Sequence, residues 1–517
     1  MIAEAEVKSS PAGPTTRTSA PATARNPART KLLALALLGA ALIAGGWLRF
    51  AGIGGREMSA DEGASWAAAA APSLTEVIRI QAAVNPGKLA LYELLLHGWI
   101  GVFGDGLAAM RSLSALLDTL SIVAVFALTR EVLAEPFTAA ETGGLAGAVT
   151  PGEADIAAGL AALFFAVNLA TIKYARELRM YPLALLAVLL QVWVFWRALR
   201  KPTPARLLAV ALLTALVLAI HFTTSFMIVA EAVWVFIWAR ISSPLVHPRI
   251  DRSQVPIIGT LGAGFVLFFI AAIPALRTGA SAFAHGATVW IERPPAWAPL
   301  SMFNKGLGTF SFPVTAALAG FGAWRGWRRA RTTVSFALAW MWLPPLMLLV
   351  ASYAFAPMFV ERYALWCFVP LFMLAAFGAL ELERRAVCAT AVALAVALAV
   401  AHVASYRRRP HDVQWREAAA SAARAYAPGM KIAVAPPYAA NVMRYYLRGT
   451  RFQQAVQASD DSEPDILVAA DNWKANAKAA KLLARYSHPL FVFRGVRVYR
   501  RVFSVPKQAG IQQERHR

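Results

Sequence analysis

The chain is organised around one polar stretch, Ala51-Gly-Ile-Gly-Gly-Arg-Glu-Met-Ser-Ala-Asp61-Glu62-Gly-Ala-Ser-Trp66, which follows the first long apolar run. The stretch continues through Asn85-Pro-Gly-Lys88-Leu-Ala-Leu-Tyr92 and ends at Arg111, where the next apolar run begins. It concentrates a carboxylate pair, a lysine and an arginine in a chain with only 15% charged residues. Long loops in compact proteins are usually functional, so we predict that 51–108 carries the chemistry.

The composition excludes an ordinary soluble protein. Hydrophobic residues make up 58% of the chain, and the mean hydropathy is +0.51. Such a chain needs lipid to cover its apolar surface. The net charge of +22 comes from short Lys and Arg clusters between apolar runs, a pattern that sets membrane orientation and does not indicate a nucleic-acid partner. The two cysteines, Cys367 and Cys388, form neither a disulfide framework nor a metal-ligand spacing.

Hydropathy predicts about eleven transmembrane helices. The segments are 32–50, 109–129, 156–174, 181–199, 205–220, 222–239, 254–275, 312–326, 332–353, 362–380 and 386–405. With this count the basic clusters between spans fall on the side of the N-terminal tail. Counting 89–103 as a span would reverse that, so 89–103 and the weaker segment 73–82 are predicted as helices in the outer interface.

The pattern divides the chain into four parts. Residues 1–31 are predicted to be a disordered cytoplasmic tail, and 32–405 a transmembrane domain with the outer catalytic loop 51–108. Residues 406–503 alternate strand and helix patterns and predict a small extracytoplasmic α/β domain. Its predicted elements are helices at 415–426, 439–447 and 472–486, strands at 431–435 and 465–470, and a hairpin at 490–503 broken at Gly495. Residues 504–517 are predicted to be a second disordered tail.

Two clusters could carry chemistry. Asp61 could be a general base, a metal ligand or a helix N-cap, because Asp is common at that position. The second cluster is Lys173-Tyr174-Ala-Arg176-Glu177-Leu-Arg179-Met-Tyr181-Pro182, on the outer side. Lys and Arg are usually more frequent on the cytoplasmic side of a membrane protein, so cations on the outer side need an explanation. A bound phosphate would provide one. Interfacial snorkelling with a Glu177 salt bridge is the alternative.

Single polar groups lie near other outer helix ends. His221 is a candidate ligand or base, or an ordinary turn residue. Arg111 and Arg362 each begin an inward-running helix, where an arginine can bind an anion or anchor at lipid headgroups.

The order of these features resembles the GT-C glycosyltransferases of family 39, which include protein O-mannosyltransferases and lipid A aminoarabinose transferases. The motifs that carry the resemblance are Asp61-Glu62, Asn85 to Gly104 with Tyr92-Glu-Leu-Leu-Leu-His97-Gly-Trp99, Arg111-Ser-Leu-Ser, Tyr174 to Tyr181, Arg362-Tyr363 with Pro370, Asp412-Val-Gln-Trp415-Arg416 and Pro436-Pro-Tyr438. The family often has His-Pro-Pro where this chain has Asn85-Pro-Gly-Lys88, so no histidine- or metal-dependent detail is carried over.

The resemblance implies a sugar donor linked to a polyprenyl phosphate and transfer with inversion to an acceptor hydroxyl of a protein, lipid or glycan. Asp61 would take the acceptor proton, and Glu62 would position Asp61 or the acceptor. Predicted phosphate-binding residues are Lys88, Arg111, Arg176, Arg179 and Arg362. Predicted substrate-positioning residues are Asn85, Tyr92, Glu177, Tyr181, His221 and Tyr363. No cofactor is assigned, and a divalent cation is left open.

The expected location is a bacterial inner membrane, with the N-terminus cytoplasmic and the α/β domain outside. Two other functions compete. A flippase of lipid-linked sugars would use the same cations without a base, but transporters place ionisable groups at mid-membrane, and these spans are expected to be nearly free of central charge. A non-catalytic receptor whose α/β domain binds a ligand is the other.

Overall fold

The computed structural model describes residues 27–134, 149–241, 255–284, 291–410, 413–458, 464–471, 483, 486 and 488–501. The membrane part is helical. Its helices are α1 (Pro27–Phe50), α2 (Ala60–Ala69), α3 (Leu74–Val84), α4 (Leu91–Phe103), α5 (Leu107–Ala134), α6 (Pro151–Ala166), α7 (Leu169–Ala175), α8 (Tyr181–Arg200), α9 (Pro204–Ile220), α10 (Ser225–Ile241), α11 (Val255–Ala284), α12 (Ala298–Leu307), α13 (Ser311–Arg329), α14 (Arg331–Ala354), α15 (Phe368–Leu380) and α16 (Arg385–Arg408). A 3₁₀ helix, Glu361–Cys367, leads into α15.

The predicted spans fall on helices, except that 156–174 crosses two helices, α6 and α7, and the chain is a multi-pass membrane protein. Among the described residues, seven helices are long and apolar enough to cross a bilayer, and two bent pairs, α6–α7 and α12–α13, raise that number to nine. The remaining two predicted spans are α9 and α10, which have 17 residues each. Helix α1 begins at Pro27, so the last residues of the predicted tail are helical; residues 1–26 and 502–517 lie outside the described residues.

The loop after α1 contains three short helices. The predicted interfacial helices 73–82 and 89–103 correspond to α3 and α4, whereas α2 was not predicted. The N-cap of α2 is Ser59, which accepts a hydrogen bond from the Glu62 backbone while the Glu62 carboxylate accepts one from the Ser59 backbone. The interpretation of Asp61 as the cap is therefore wrong: Asp61 lies one residue inside the helix, with its side chain available for another role.

A buried ion pair joins the first helices of the membrane domain. Arg49 of α1 donates from Nε to Asp118 of α5 at 2.6 Å, and the two side chains are 0% and 1% exposed. Arg49 also donates to the Ala166 carbonyl at 2.8 Å. Because α6 ends there and the chain bends by 59° into α7, that carbonyl lacks a helical partner. Arg49 thus stabilises the bend between α6 and α7.

The expectation that the spans are nearly free of central charge is wrong. Asp118 lies within α5, and Glu231 lies fully buried within α10. Glu231 accepts a hydrogen bond from Gln191 Nε2 of α8 at 2.8 Å. Both carboxyl groups are bound by a side chain of a neighbouring helix, so each of them connects two spans.

Removing one partner of the Arg49–Asp118 pair should destabilise the fold strongly. Asp118→Ala leaves the Arg49 charge buried without its counter-ion, which typically costs about 3–5 kcal/mol. We expect a correspondingly lower free energy of unfolding in mixed micelles. The exposed pair Glu76–Arg79 offers the control, and Glu76→Ala should leave the unfolding curve in place. Unchanged stability of Asp118→Ala would show that the pair contributes nothing net.

The C-terminal part is a small α/β domain, as predicted. It contains α17 (Trp415–Ala425), α18 (Ala440–Tyr446) and five strands, β1 (Ile432–Ala435), β2 (Val456–Ala458), β3 (Ile466–Ala470), β4 (Pro489–Phe493) and β5 (Val496–Arg500). The sheet order is β2-β1-β3-β5-β4, with β1 parallel to β2 and β3 and the β4–β5 hairpin antiparallel. The hairpin turns at Gly495, whose φ is 74°. Strand β2 was not predicted, and the predicted helix 472–486 lies almost entirely outside the described residues.

The α/β domain docks on the outer loop through α18. The two backbones approach so closely that a Cβ on Gly63 of α2 would lie 2.9 Å from Val442 Cγ2. The Met58 amide donates to Tyr446 Oη at 2.9 Å. Arg448 pairs with Asp105 at 2.8 Å, at the far end of the loop. Helix α2, which carries Asp61, is therefore held by both domains.

Candidate functional site

A cavity of about 370 Å³ lies where the outer loop meets the α/β domain. The membrane domain contributes Glu57, Met58, Ser59, Ala60, Asp61, Glu177 and Arg362 to its wall, and the α/β domain contributes Val413, Trp415, Pro436, Tyr438 and Ala470. This volume is within the range of small-molecule sites, roughly 300–1,000 Å³. The cavity thus joins three distant regions of the sequence that were predicted to be functional with three segments of the α/β domain, at 413–415, 436–438 and 470.

Asp61 is the carboxylate that the structure presents to this cavity. Its side chain is 56% exposed, and its Oδ2 lies 3.6 Å from Arg362 Nη2. The surrounding protein raises the pKa of Asp61 by desolvation, but Arg179, Arg362 and Lys88 together outweigh this, so the pKa lies below its ordinary value. Asp61 is therefore ionised at neutral pH and able to accept a proton.

Two further cations stand behind Asp61. Arg179 is 3% exposed and donates from Nη1 to the Asp61 carbonyl at 3.0 Å and to Ser65 Oγ at 3.3 Å. Its Nε is buried and makes no hydrogen bond to a described residue, and the Tyr181 ring centre lies 5.9 Å from its guanidinium carbon. Lys88 lines the same narrow space as Arg179 and Glu93. Burial, followed by repulsion from Arg179, lowers the pKa of Lys88 to about 7.

Aromatic rings surround Arg362. Its guanidinium carbon lies 5.7 Å from the ring centres of both Tyr181 and Tyr363, and the His221 ring lies 4.9 Å from that of Tyr363. His221 is itself fixed by a 2.7 Å hydrogen bond between Nδ1 and Thr223 Oγ1. Faces of aromatic rings stabilise a cation when water is excluded. Two of the predicted substrate-positioning residues, Tyr181 and Tyr363, therefore orient a cation, and His221 packs against Tyr363. Contact of these three residues with a substrate stays a prediction.

Glu177 is a second carboxyl group of the cavity wall. Burial, followed by repulsion from Glu62, raises the pKa of Glu177 to about 7. Glu177 and Asp61 share the cavity but have pKa values shifted in opposite directions. Such a pair can hold a proton on one carboxyl group while the other stays ionised.

The structure does not bring Glu62 or Arg111 to the cavity. The Glu62 side chain is 1% exposed and forms an ion pair with Arg111 at 2.7 Å. Burial opposes ionisation of Glu62, but the contact with Arg111 outweighs it and lowers the pKa. Arg111 directs all five of its N–H donors to Glu62 and to the carbonyls of Ile53, Arg56 and Glu57. No donor of Arg111 remains for a phosphate, and the pair instead holds the loop before α2.

Arg176 also lies away from the cavity. Its Nη1 donates to the carbonyls of Leu48, Arg49 and Ala51, and its Nη2 to that of Gly52. These carbonyls belong to the end of α1, where a helix lacks its own donors. Arg176 is thus a cap for α1, although it stands only three residues from Arg179.

Two predicted positioning residues are engaged elsewhere. Asn85 is the C-cap of α3, and its side chain donates to Gln81 at 3.2 Å. Tyr92 is 2% exposed and its Oη lies 2.9 Å from Ser114 Oγ, whose own hydroxyl donates to the Arg179 carbonyl. Tyr92 therefore supports the backbone of Arg179 from behind.

Arg176 and Arg179 should respond differently to mutation. Arg176→Ala removes the hydrogen bonds to the end of α1 and should lower the free energy of unfolding by about 1–3 kcal/mol. It should leave the affinity for a phosphodiester lipid unchanged. Arg179→Gln should weaken that affinity, because it removes a cation beside Lys88. Equal losses of affinity in titrations with the two variants would contradict this assignment.

Sequence reasoning missed the contribution of the α/β domain to the cavity. Trp415 and Tyr438 were noted only within motifs of the outer domain, and no signal in the chain placed them opposite Asp61. Ser59 and Glu57 were also missed, although Ser59-x-x-Glu62 is a capping-box pattern that could have located the start of α2. Among the described residues no three His, Cys, Asp or Glu side chains converge as metal ligands.

Comparison with known proteins identifies the fold. No family model matches the chain, and no curated protein matches it. The structure of ArnT from Cupriavidus metallidurans bound to undecaprenyl phosphate matches with a TM-score of 0.53 and 12% sequence identity, covering 92% of this chain and 99% of that one. The same protein in the apo state matches with a TM-score of 0.52 and 12% identity, covering 91% and 98%. The predicted GT-C architecture with a small C-terminal domain is confirmed.

Proposed function

We propose that the chain is an integral-membrane inverting glycosyltransferase, which moves a sugar from a polyprenyl-phosphate donor to an acceptor hydroxyl at the extracytoplasmic face of a bacterial inner membrane. One observation carries the proposal: an ionised carboxylate, Asp61, opens onto a cavity and is surrounded by Arg179, Arg362 and Lys88. The likeness to a fold solved with undecaprenyl phosphate supports a donor of this class.

The proposed reaction is a single displacement at the anomeric carbon. The acceptor oxygen forms a bond to that carbon while the bond from the carbon to the phosphate oxygen breaks, and the bonding electron pair leaves with the phosphate. The acceptor proton passes to Asp61. The three cations stabilise the negative charge that grows on the leaving phosphate. Glu62 acts through the loop that it secures and does not touch substrate.

Binding of the donor would change the pKa of Asp61. In the free protein the three cations hold the pKa of Asp61 below its ordinary value, which makes it a weak proton acceptor. A bound phosphate anion neutralises part of that positive charge, so the pKa of Asp61 rises when the donor is in place. Asp61 is therefore a stronger base in the donor complex, in which the acceptor proton is transferred.

The lipid part of the donor would leave the site past Lys88. Lys88 also borders a crevice of about 20 Å³ whose other walls include Leu89 of the loop, Leu218 of α9 and Phe268 of α11. Apolar walls suit a prenyl chain, but the crevice is narrower than such a chain. Donor entry therefore requires α9 and α11 to separate near the loop.

No observation favours the flippase alternative. The cations and Asp61 collect at one end of the membrane domain beneath the α/β domain, and the charged groups within spans are paired or hydrogen-bonded to neighbouring helices. A general base beside this cavity has no role in moving a donor intact across the bilayer.

Donor binding should depend on pH through Lys88. Its pKa is about 7 in the free protein, and a phosphodiester anion favours the charged form, so binding above pH 7 takes up a proton. We expect affinity for a polyprenyl-phosphoryl sugar to fall by up to about tenfold per pH unit from pH 7 toward pH 9. Calorimetric titration across this range measures it.

Two variants distinguish the contribution of Lys88 to this pH dependence from that of Glu177. Lys88→Arg carries a permanent charge and should flatten most of the pH dependence. Glu177 has a pKa of about 7, and its ionisation also weakens anion binding as the pH rises. Glu177→Gln removes that smaller contribution. A pH dependence unaffected by Lys88→Arg would contradict the role of Lys88.

The proposed donor class can be tested on purified protein. Lipid extraction and mass spectrometry of the full chain should identify a prenyl phosphate or its glycosylated form. Lys88→Met keeps the length of the side chain but removes its charge, and it should lose most of this lipid. Glu361→Gln, which disrupts the exposed Lys305–Glu361 pair, serves as the control. Recovery of bulk phospholipids alone from the wild-type protein would contradict the proposal.

A further inference from the structure

The two ends of the site differ in charge. At the deep end, Lys88 and Arg179 line a narrow space together with Glu93, and Arg179 donates to the Asp61 carbonyl at 3.0 Å. At the outer end, the membrane-domain wall carries the carboxyl groups of Glu57, Asp61 and Glu177, and Arg362 is its one cation among the described residues; Glu57 also pairs with Arg416 of the α/β domain at 3.8 Å. Two cations beside one carboxyl group thus attract an anion to the deep end, whereas the outer end has more carboxyl groups than cations.

The opposite wall of the outer end is uncharged. Within the described part of the chain, the α/β domain contributes Val413, Trp415, Pro436, Tyr438 and Ala470, whose side chains are apolar or aromatic. Tyr438 is 60% exposed and so presents an aromatic surface to the cavity, while Trp415, which lines the same wall, is 5% exposed. Aromatic faces carry partial negative charge and attract the weakly positive C–H groups of a saturated ring.

This wall is held in a fixed place over Asp61. Helix α18 follows Pro436 and Tyr438 by a few residues and packs against α2 at Gly63. Arg416, next to Trp415, donates its backbone N–H to Glu57 at 3.2 Å. The same contacts that dock the α/β domain therefore set the distance between the aromatic wall and the carboxylate.

We propose that the α/β domain forms the acceptor subsite and that the acceptor is an uncharged, polyhydroxylated ring, that is, a neutral sugar unit. The proposal rests on the proposed function and names the substrate class of its second site. Carboxylates accept hydrogen bonds from hydroxyl groups, and an aromatic surface takes the apolar face of the same ring. One hydroxyl of the ring then reaches Asp61.

The shape and charge of the cavity disfavour two other acceptors. A phosphorylated or carboxylated acceptor would bring its charge to the wall that bears Glu57, Asp61 and Glu177. A peptide would need an extended groove or a free strand edge, whereas the cavity has about 370 Å³, which suits one or two rings.

The test measures binding without turnover. Saturation-transfer NMR on the full chain in nanodiscs would compare methyl β-glucopyranoside with the methyl glycoside of glucuronic acid, which has the same ring with a carboxylate. The neutral probe should bind, and Tyr438→Ala should weaken it about tenfold. Val492→Ala, an exposed change on β4 of the same domain, should leave binding unchanged. Absent binding of the neutral probe, equal or stronger binding of the acidic probe, or no effect of Tyr438→Ala would overturn the proposal.

Two further measurements distinguish this proposal from the transferase function. A Ser/Thr-rich peptide that displaces the neutral probe would overturn the sugar acceptor in favour of a protein. In transfer assays Tyr438→Ala should raise the KM for the acceptor about tenfold while the Kd of the donor stays unchanged. If the wild-type protein binds the sugar probe at Tyr438 but no prenyl-phosphate donor, the proposed function fails and the sugar subsite stands.

Discussion

Asp61→Asn should abolish sugar transfer while leaving the protein folded and able to bind donor. The amide keeps the shape of the side chain but cannot accept the proton of the acceptor hydroxyl. Loss of a general base typically lowers kcat about 10²–10⁴-fold. Donor affinity should stay the same or increase, because the variant removes a negative charge beside Lys88, Arg179 and Arg362. Single-turnover transfer and donor titration measure the two effects separately.

Glu361→Gln is the matched control for this change. Glu361 stands one residue from Arg362 on the same 3₁₀ helix, but it pairs with Lys305 at 2.7 Å and is not part of the cavity wall. Its loss should leave transfer near the wild-type rate. A second comparison is Glu62→Gln, which should lower stability, since it breaks the buried contact with Arg111. Wild-type turnover by Asp61→Asn would remove Asp61 from the base role.

Arg362→Ala has the second largest expected effect and a distinctive pH signature. Removing a cation that faces the leaving phosphate should lower kcat about 10²–10³-fold. Arg362 also helps to hold the pKa of Asp61 low, after the larger contribution of Arg179 and against desolvation. Without Arg362 the pKa of Asp61 rises, so the acid limb of the pH–rate profile, where activity is lost as Asp61 becomes protonated, should move to higher pH.

Arg362→Lys should restore part of both effects, since a lysine at that position keeps the charge but loses the planar contact with Tyr181 and Tyr363. Lys305→Ala removes an exposed cation that pairs with Glu361 and should change neither the rate nor the pH profile. If Arg362→Ala lowers kcat but leaves the acid limb of the pH–rate profile at the same pH, Arg362 does not act on Asp61.

The topology could be predicted because it depends on local patterns. Apolar runs of span length and the side on which basic clusters fall are read directly from the sequence. The same assignment of basic clusters to one side of the membrane led to the prediction of 89–103, which is α4 in the structure, as an interfacial helix. The bend between α6 and α7 was not predicted: Asn168 caps the start of α7, but the freed Ala166 carbonyl is bound by Arg49, which lies more than a hundred residues away.

The arginines of the site show why charge alone is a weak guide to function. Arg111, Arg176 and Arg179 all lie near predicted outer ends of spans, and all three were predicted to bind phosphate. The structure separates them by what surrounds each guanidinium: Arg111 is enclosed by Glu62 and loop carbonyls, and Arg176 by the carbonyls at the end of α1. Arg179 keeps a donor without a partner among the described residues. Such carbonyl clusters form only when distant segments meet.

The central claim is that sugar leaves a polyprenyl phosphate with inversion, assisted by Asp61. Purified full-length protein in nanodiscs, supplied with a polyprenyl-phosphoryl sugar of defined anomeric configuration and a hydroxyl acceptor, tests it in one measurement by NMR of the product. We expect a new glycosidic bond of the opposite configuration, formed by the wild-type protein and absent with Asp61→Asn. Retained configuration, equal product from Asp61→Asn, or donor recovered intact on the other side of the bilayer would contradict it.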